Sequence, residues 1–153
     1  MDHSKVRNIL KSQNLAVLCT IGNSDPYCSL MAYLFDSQKA ALWLIALTHS
    51  AKYRNLIRHP RVSLLVDNRS CPGGGAPELI TALTIQGTAH RADPKADEKV
   101  RTLMARQFPY LATLLNDPDS VVVQVDLAEY ILLEGPTDAQ RGTLSPGGSD
   151  HEI

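Results

Sequence analysis

No apolar run in this chain is long enough to cross a membrane: the longest, at residues 40–47, holds about eight residues against the ~20 of a spanning helix. The N-terminal MDHSKVRNILKSQN is polar and helical in pattern and lacks a signal-peptide core, which predicts a cytoplasmic protein with no membrane partner. Cysteine is scarce. Cys19, Cys28 and Cys71 form no C-x-x-C pair, and an odd number at irregular spacing argues against a disulfide framework. Cys19 and Cys28 fall in apolar runs, where a free cysteine reads as a small core residue. The histidines, His3, His49, His59, His90 and His151, show neither H-x-H nor H-E-x-x-H spacing, so no metal site is expected. Net charge is nearly absent too, at -1 with a pI near 6.5, which argues against a general nucleic-acid binder.

The most informative absence is local. Residues 37–66 contain no carboxylate, yet they hold Lys39, Lys52, Arg54, Arg58 and Arg61. The rest of the chain sets ten cations against sixteen acids. Positive charge is thus concentrated, most of it within 52–61. The local pattern there is a strand (ALWLIAL), a turn (THS), a short helix (AKYRNLIR) and another strand (HPRVSLLV). A turn with hydroxyls and a lysine at the start of a helix suits a phosphate, because first-turn N–H groups lack intrahelical partners and the helix dipole favours an anion. The same residues would also make an ordinary solvated basic face.

At 153 residues the chain fits one domain with a substantial core. The pattern predicts a helix over 4–13 capped by Ser4, strands at 15–21 and 27–35 joined by the turn-forming GNSDP, and a strand at 40–47 apolar enough to be buried on both faces. A helix over 51–58 ends at Pro60, and a strand follows at 62–66. The CPGGGAP segment at 71–77 reads as a hairpin tip and matches no phosphate-loop motif. A long alternating strand spans 79–91, with Gly87 marking a bulge or a close backbone approach. Asp93 and Pro94 open a helix reaching about Phe108, and 109–116 continue as a broken helical turn. The last strand covers 120–134 with a bend near Leu127 and Ala128, and residues 136–153 read as an irregular tail after a domain at 1–135. Strands that follow one another directly exclude a doubly wound α/β fold and favour a small closed barrel with helices packed outside.

The run THSAKYRNLIRHPRVSLLV, with the upstream hairpin LAVLCTIGNSDPYCSLMAYLFD and the downstream QGTAHR, resembles the pyridoxamine 5′-phosphate oxidase-like family in order and spacing over residues 4–135. The resemblance implies a mainly β fold, a six-stranded antiparallel split β-barrel with flanking helices. It further implies a homodimer that holds FMN in clefts between protomers. By position, Ser29, Leu30, Met31 and Ala32 would line the flavin ring, largely through backbone groups. Leu47 and Thr48 would close the end of the third strand, and Ser50 and Lys52 would hold the phosphate. Asn55 shares a helix face with Lys52 and would reach the phosphate or ribityl chain. His49 is the candidate polar group near flavin or substrate. The family's arginine before the phosphate lysine is replaced by Ala51, and its C-terminal Trp and Arg residues have no counterpart. Both departures argue against pyridoxamine phosphate as substrate.

The implied function is an FMN-dependent oxidoreductase acting on a small molecule. In such an enzyme the flavin carries the redox chemistry, so no catalytic triad is needed. The alternative is a flavin-binding protein without turnover, an electron carrier or sensor. The resemblance further implies two other cofactors for such a barrel: haem, to which His49, His90 or His151 would be brought, or the deazaflavin F420, whose polyanionic tail would use Arg54 and Arg58.

Overall fold

The computed structural model describes residues 3–69, 76 and 79–147. Most of the CPGGGAP segment, including Cys71, and the terminal residues with His151 lie outside the described residues. The elements are α1 (Ser4–Ser12), β1 (Leu15–Ile21), β2 (Pro26–Ala32), β3 (Leu34–Asp36), β4 (Ala41–Leu47), α2 (Ala51–Arg58), β5 (Arg61–Asp67) and β6 (Thr81–Arg91). They continue with α3 (Pro94–Gln107), a 3-10 turn (Pro109–Leu111), α4 (Ala112–Leu115), β7 (Ser120–Glu134) and β8 (Asp138–Thr143). No described helix is long and apolar enough to cross a membrane.

All strand pairings are antiparallel, in the order β2-β1-β5-β6-β7-β4-β3, with β8 on β7. The two ends of this path, β2 and β3, are separated in sequence by one residue, Tyr33. The sheet must therefore curl until its ends meet, closed by covalent chain rather than by a hydrogen-bonded ladder, and this makes it a split barrel. Tyr33 is buried, and its hydroxyl donates to the Leu10 carbonyl of α1 at 2.9 Å. The expected single strand at 27–35 is therefore two strands, because the chain changes pairing partner at Tyr33. An apolar run reads alike on either side of such a switch.

The second departure from six strands is β8. It lies in the stretch expected to be irregular, and most of its residues are exposed. Strand β7 explains it. Along one edge β7 pairs with β6. Along the other it pairs first with β4 (Ser120 to Asp126) and then with β8 (Glu129 to Glu134). The handover falls at the expected bend: the Leu127 N–H donates to the Ala40 carbonyl, and the Leu144 N–H to that of Ala128. Opposite it the β6–β7 register slips between Ile85 and Gly87, the expected bulge. A Cβ on Gly87 would stand 2.5 Å from the Asp126 carbonyl oxygen, so the position requires glycine.

Two apolar clusters flank the sheet. Inside the barrel lie Leu18, Leu42, Leu44, Leu64, Leu83, Ile85, Val123 and Leu132, covered by Val6 and Leu10 of α1 and Leu56 of α2. On the other face of β4, Trp43 and Ile45 pack with Val122 under Val100 and Met104 of α3 and Phe108 just past its end. Burial on both faces is why β4 is wholly apolar. Asp93 caps α3 by accepting from the Ala96 N–H at 2.9 Å, with Pro94 in the first turn, as expected. In α1 the cap position falls on His3 rather than Ser4, with no side-chain capping bond.

Candidate functional site

Strand β4 delivers Leu47 and Thr48 to the start of α2. The turn is pinned from outside by the Thr48 N–H donating to the Asp119 carbonyl at 3.0 Å. Ser50, expected to hold the phosphate, is the N-cap of α2. Its hydroxyl donates to the Leu47 carbonyl at 2.7 Å and accepts from the Tyr53 N–H at 3.4 Å. The hydroxyl hydrogen is thereby occupied, so Ser50 acts as the cap that shapes the site. The N–H groups left without an intrahelical acceptor are those of Ala51 and Lys52. Lys52 is half-buried, and among the described residues neither it nor Arg54 has a carboxylate partner. His49 is exposed on the turn, with Nδ1 3.9 Å from an Asp119 carboxylate oxygen.

Asn55 lies one turn further on. Its amide donates to the Thr20 hydroxyl at 3.1 Å, which ties α2 to β1. Thr20 is buried, and its hydroxyl donates in turn to the Tyr27 carbonyl on β2. Arg58 donates to the Asn23 side chain in the β1–β2 turn at 2.9 Å. The helix is thus bolted to the hairpin that carries the other candidate residues. Thr20 and Asn23 carry no motif, and only the packing of α2 on the hairpin reveals them.

On β2, Ser29 and Met31 stand opposite Leu18 and Ala16 and share the inward face, whereas Leu30 and Ala32 point outward, Leu30 strongly exposed. The four side chains therefore cannot line one surface together. The backbone can. The Gly22 N–H bonds to Asp25 and the Tyr33 N–H to Asn14, which sets the ladder phase. In that phase residues 27, 29 and 31 spend their peptide groups on β1. The N–H and C=O groups of Cys28, Leu30 and Ala32 face the free edge, because β2 has no second strand neighbour. A free edge of alternating donors and acceptors is what a planar heterocycle with a polar rim can pair with.

Cys19 and Cys28 are corrected by the structure. Neither is a core residue: Cys19 is half-buried and Cys28 exposed. They face each other across the hairpin, a juxtaposition readable from the register that the short GNSD turn imposes.

Residues 3–134 match the sequence profile of the family described as pyridoxamine 5′-phosphate oxidase. The chain belongs to that family. A UPF0306 protein from Serratia proteamaculans is 29% identical over 133 residues, covering 84% of this chain and 83% of the relative. Among solved structures, a heme binding protein from Mycobacterium smegmatis superposes with a TM-score of 0.78 at 19% identity, covering 94% of this chain and 59% of that one. A FAD-binding protein from Mesorhizobium loti gives 0.65 at 13% identity, covering 85% and 92%. At these identities the structures show a shared fold alone. Cofactors bound within this fold include both flavin and heme.

A groove of about 680 Å³ opens between the β3–β4 turn and α3, lined in part by Trp43, Lys39, Lys95 and Lys99. None of the residues expected to hold a flavin lines it.

Proposed function

We propose that this protein is an FMN-binding flavoprotein, a small-molecule oxidoreductase of the pyridoxamine 5′-phosphate oxidase-like type. The observation that carries the reading is the capped start of α2: a half-buried Lys52 without a carboxylate partner among the described residues, beside two uncommitted N–H groups, inside thirty residues free of acids. The donor set fits a phosphomonoester, which is close to a dianion and accepts several charge-assisted hydrogen bonds. Lys52 and the Ala51 and Lys52 N–H groups would hold the phosphate, and Ser50 would keep the helix start in shape. The Leu30 and Ala32 peptide groups on the β2 edge would pair with the polar rim of the ring, with Ser29 and Met31 setting that strand's register. Leu47 and Thr48 would border the cofactor at the end of β4. His49 would face it from the turn. Asn55, whose amide is bound to Thr20, would fix the spacing between the phosphate turn and the hairpin.

When bound, FMN supplies the electron transfer. The chain's own residues bind it, orient it and exclude water. A homodimer follows from the same reading. One protomer offers an edge and a turn, and a second would close over the ring. With Ala51 in place of the family's arginine, the substrate would be something other than pyridoxamine phosphate.

The test is a visible spectrum of the purified protein before and after dithionite or NAD(P)H. Flavin bands bleached by NAD(P)H support a reductase, and flavin bands that only dithionite bleaches support a carrier or sensor. A Soret band would replace the reading with haem, and a single band near roughly 420 nm with F420. Lys52→Ala should weaken FMN binding by roughly 1.5–3 kcal/mol, the worth of a hydrogen bond to a charged group. Unchanged affinity in a titration would remove Lys52 from the site.

A further inference from the structure

Cys19 and Cys28 stand directly opposite one another on β1 and β2. The ladder phase set by Gly22–Asp25 and Tyr33–Asn14 makes theirs a non-hydrogen-bonded pair. At such positions Cα atoms lie about 4.5 Å apart, inside the ~4.4–6.8 Å that a disulfide spans. The sulfurs themselves are 3.4 Å apart in the reduced protein. Both cysteines share the outer face of the hairpin with Val17, Leu30, Ile21 and Pro26, and Cys28 is the more exposed of the two. Desolvation, and after it the contact with Cys28, pushes the Cys19 thiol up to about 11. Cys19 therefore holds its proton more tightly than an ordinary thiol, and Cys28, the more exposed of the two, is the sulfur that an incoming reagent meets first.

We propose that Cys19 and Cys28 form a thiol–disulfide exchange site that takes low-molecular-weight disulfides and closes to a cross-strand disulfide on the β1–β2 hairpin. Cys28, having lost its proton to solvent, attacks one sulfur of the small disulfide. The S–S bond breaks and one thiolate leaves, picking up a proton from water. Cys19 then gives up its proton and attacks the Cys28 sulfur in the mixed disulfide, which expels the second thiol. Protein dithiol and one disulfide become protein disulfide and two thiols, with two electrons passing to the small molecule. The reluctance of Cys19 to ionise makes this second step slow at neutral pH and faster in base. The site is independent of any cofactor. Its product would lock β2 immediately before Ser29, the start of the segment with the free edge.

The test is peptide mapping of the whole native protein. It is incubated with excess oxidised glutathione at mildly basic pH, blocked with N-ethylmaleimide and digested with trypsin. No Lys or Arg lies between Lys11 and Lys39, so both cysteines fall on the peptide 12–39, whereas Cys71 falls on 70–91. The expected result is a 12–39 peptide lighter by two hydrogens that takes up no maleimide, and that regains both thiols after dithiothreitol. Cys19→Ser should stop at a glutathione adduct on Cys28, and Cys28→Ser should leave Cys19 without one. Two maleimides on 12–39 after prolonged exposure, or a bond from 12–39 to 70–91, would overturn the proposal. An adduct on Cys19 in Cys28→Ser would overturn the assigned order of attack. The wild-type map decides the matter alone if either variant fails to fold.

Discussion

Replacing Gly87 by alanine tests the bend that shapes the barrel. Gly87 is buried on β6 at the register slip, where β7 passes from β4 to β8. An added Cβ would lie 2.5 Å from the Asp126 carbonyl oxygen and 2.7 Å from Val125 Cγ1. Real Cβ atoms do not approach other atoms so closely. One obstacle is backbone, and it cannot retreat without disturbing the adjacent Thr88–Asp126 pair. The other is a buried valine with one preferred rotamer. The cost therefore belongs at the upper end of overpacking, about 2–3 kcal/mol. For a chain of this size each kcal/mol lowers Tm by roughly 2–4 °C, so a fall of roughly 5–10 °C is expected. Thermal unfolding followed by circular dichroism reads it, with Thr88→Ala, an exposed neighbour on the same strand, as the control. A Gly87→Ala melt within about 1 °C of wild type would mean that β6 and β7 do not approach as described, and the placement of the bend would be wrong.

Other substitutions probe separate parts. Ser50→Ala removes the cap of α2 and should cost about 1 kcal/mol of stability while also weakening anion binding; a melt and a phosphate-competition titration check the two effects. Arg7 is buried and donates to the Ser37 and Ser145 carbonyls, so Arg7→Met, which leaves both acceptors bare, should cost about 2 kcal/mol in urea unfolding. At Asp97, desolvation raises the pKa. Its bonds from Arg101 and the Val122 N–H and the nearby Arg101 and Arg91 charges outweigh this, so the carboxyl sits below its ordinary value. A depressed pKa stabilises the fold above the ordinary carboxylate value of about 3.9, and that stability is lost as pH falls through the native value. Asp97→Asn should therefore be less stable than wild type at neutral pH, and the gap should narrow in acid; a constant gap from neutral pH down to about 2.5 would contradict the ion pair's role.

What the sequence reveals follows physical rules. The α2 turn was legible because its signals are local: hydroxyls and a lysine at the start of the helix and a proline past its end. Asp93-Pro94 announces α3 for the same reason. β4 declares itself because burial on both faces leaves no polar position. β8 was hidden because DAQRGT lies exposed on a strand edge, where pairing holds it and no side-chain period records it. The break at Tyr33 was hidden because both flanks are apolar and only the change of partner strand separates them. Asn55 was expected to reach the phosphate or ribityl chain beside Lys52, whereas its bond to Thr20 depends on how α2 docks on the hairpin, which sequence spacing does not report. The cysteine pair was within reach of the sequence. Each apolar run taken alone suggests a core cysteine, whereas pairing the two strands about the GNSD turn brings Cys19 and Cys28 face to face.

The central claim is that the start of α2 holds a phosphate. Riboflavin and FMN differ only in that phosphate, so their affinities for the cofactor-free protein, read by quenching of flavin fluorescence, isolate it. With at least two charge-assisted bonds of roughly 1.5 kcal/mol or more each, FMN should bind about 100-fold more tightly. Equal affinities, or a protein that takes up neither flavin, would contradict the account and return Lys52 and its neighbours to a solvated basic surface.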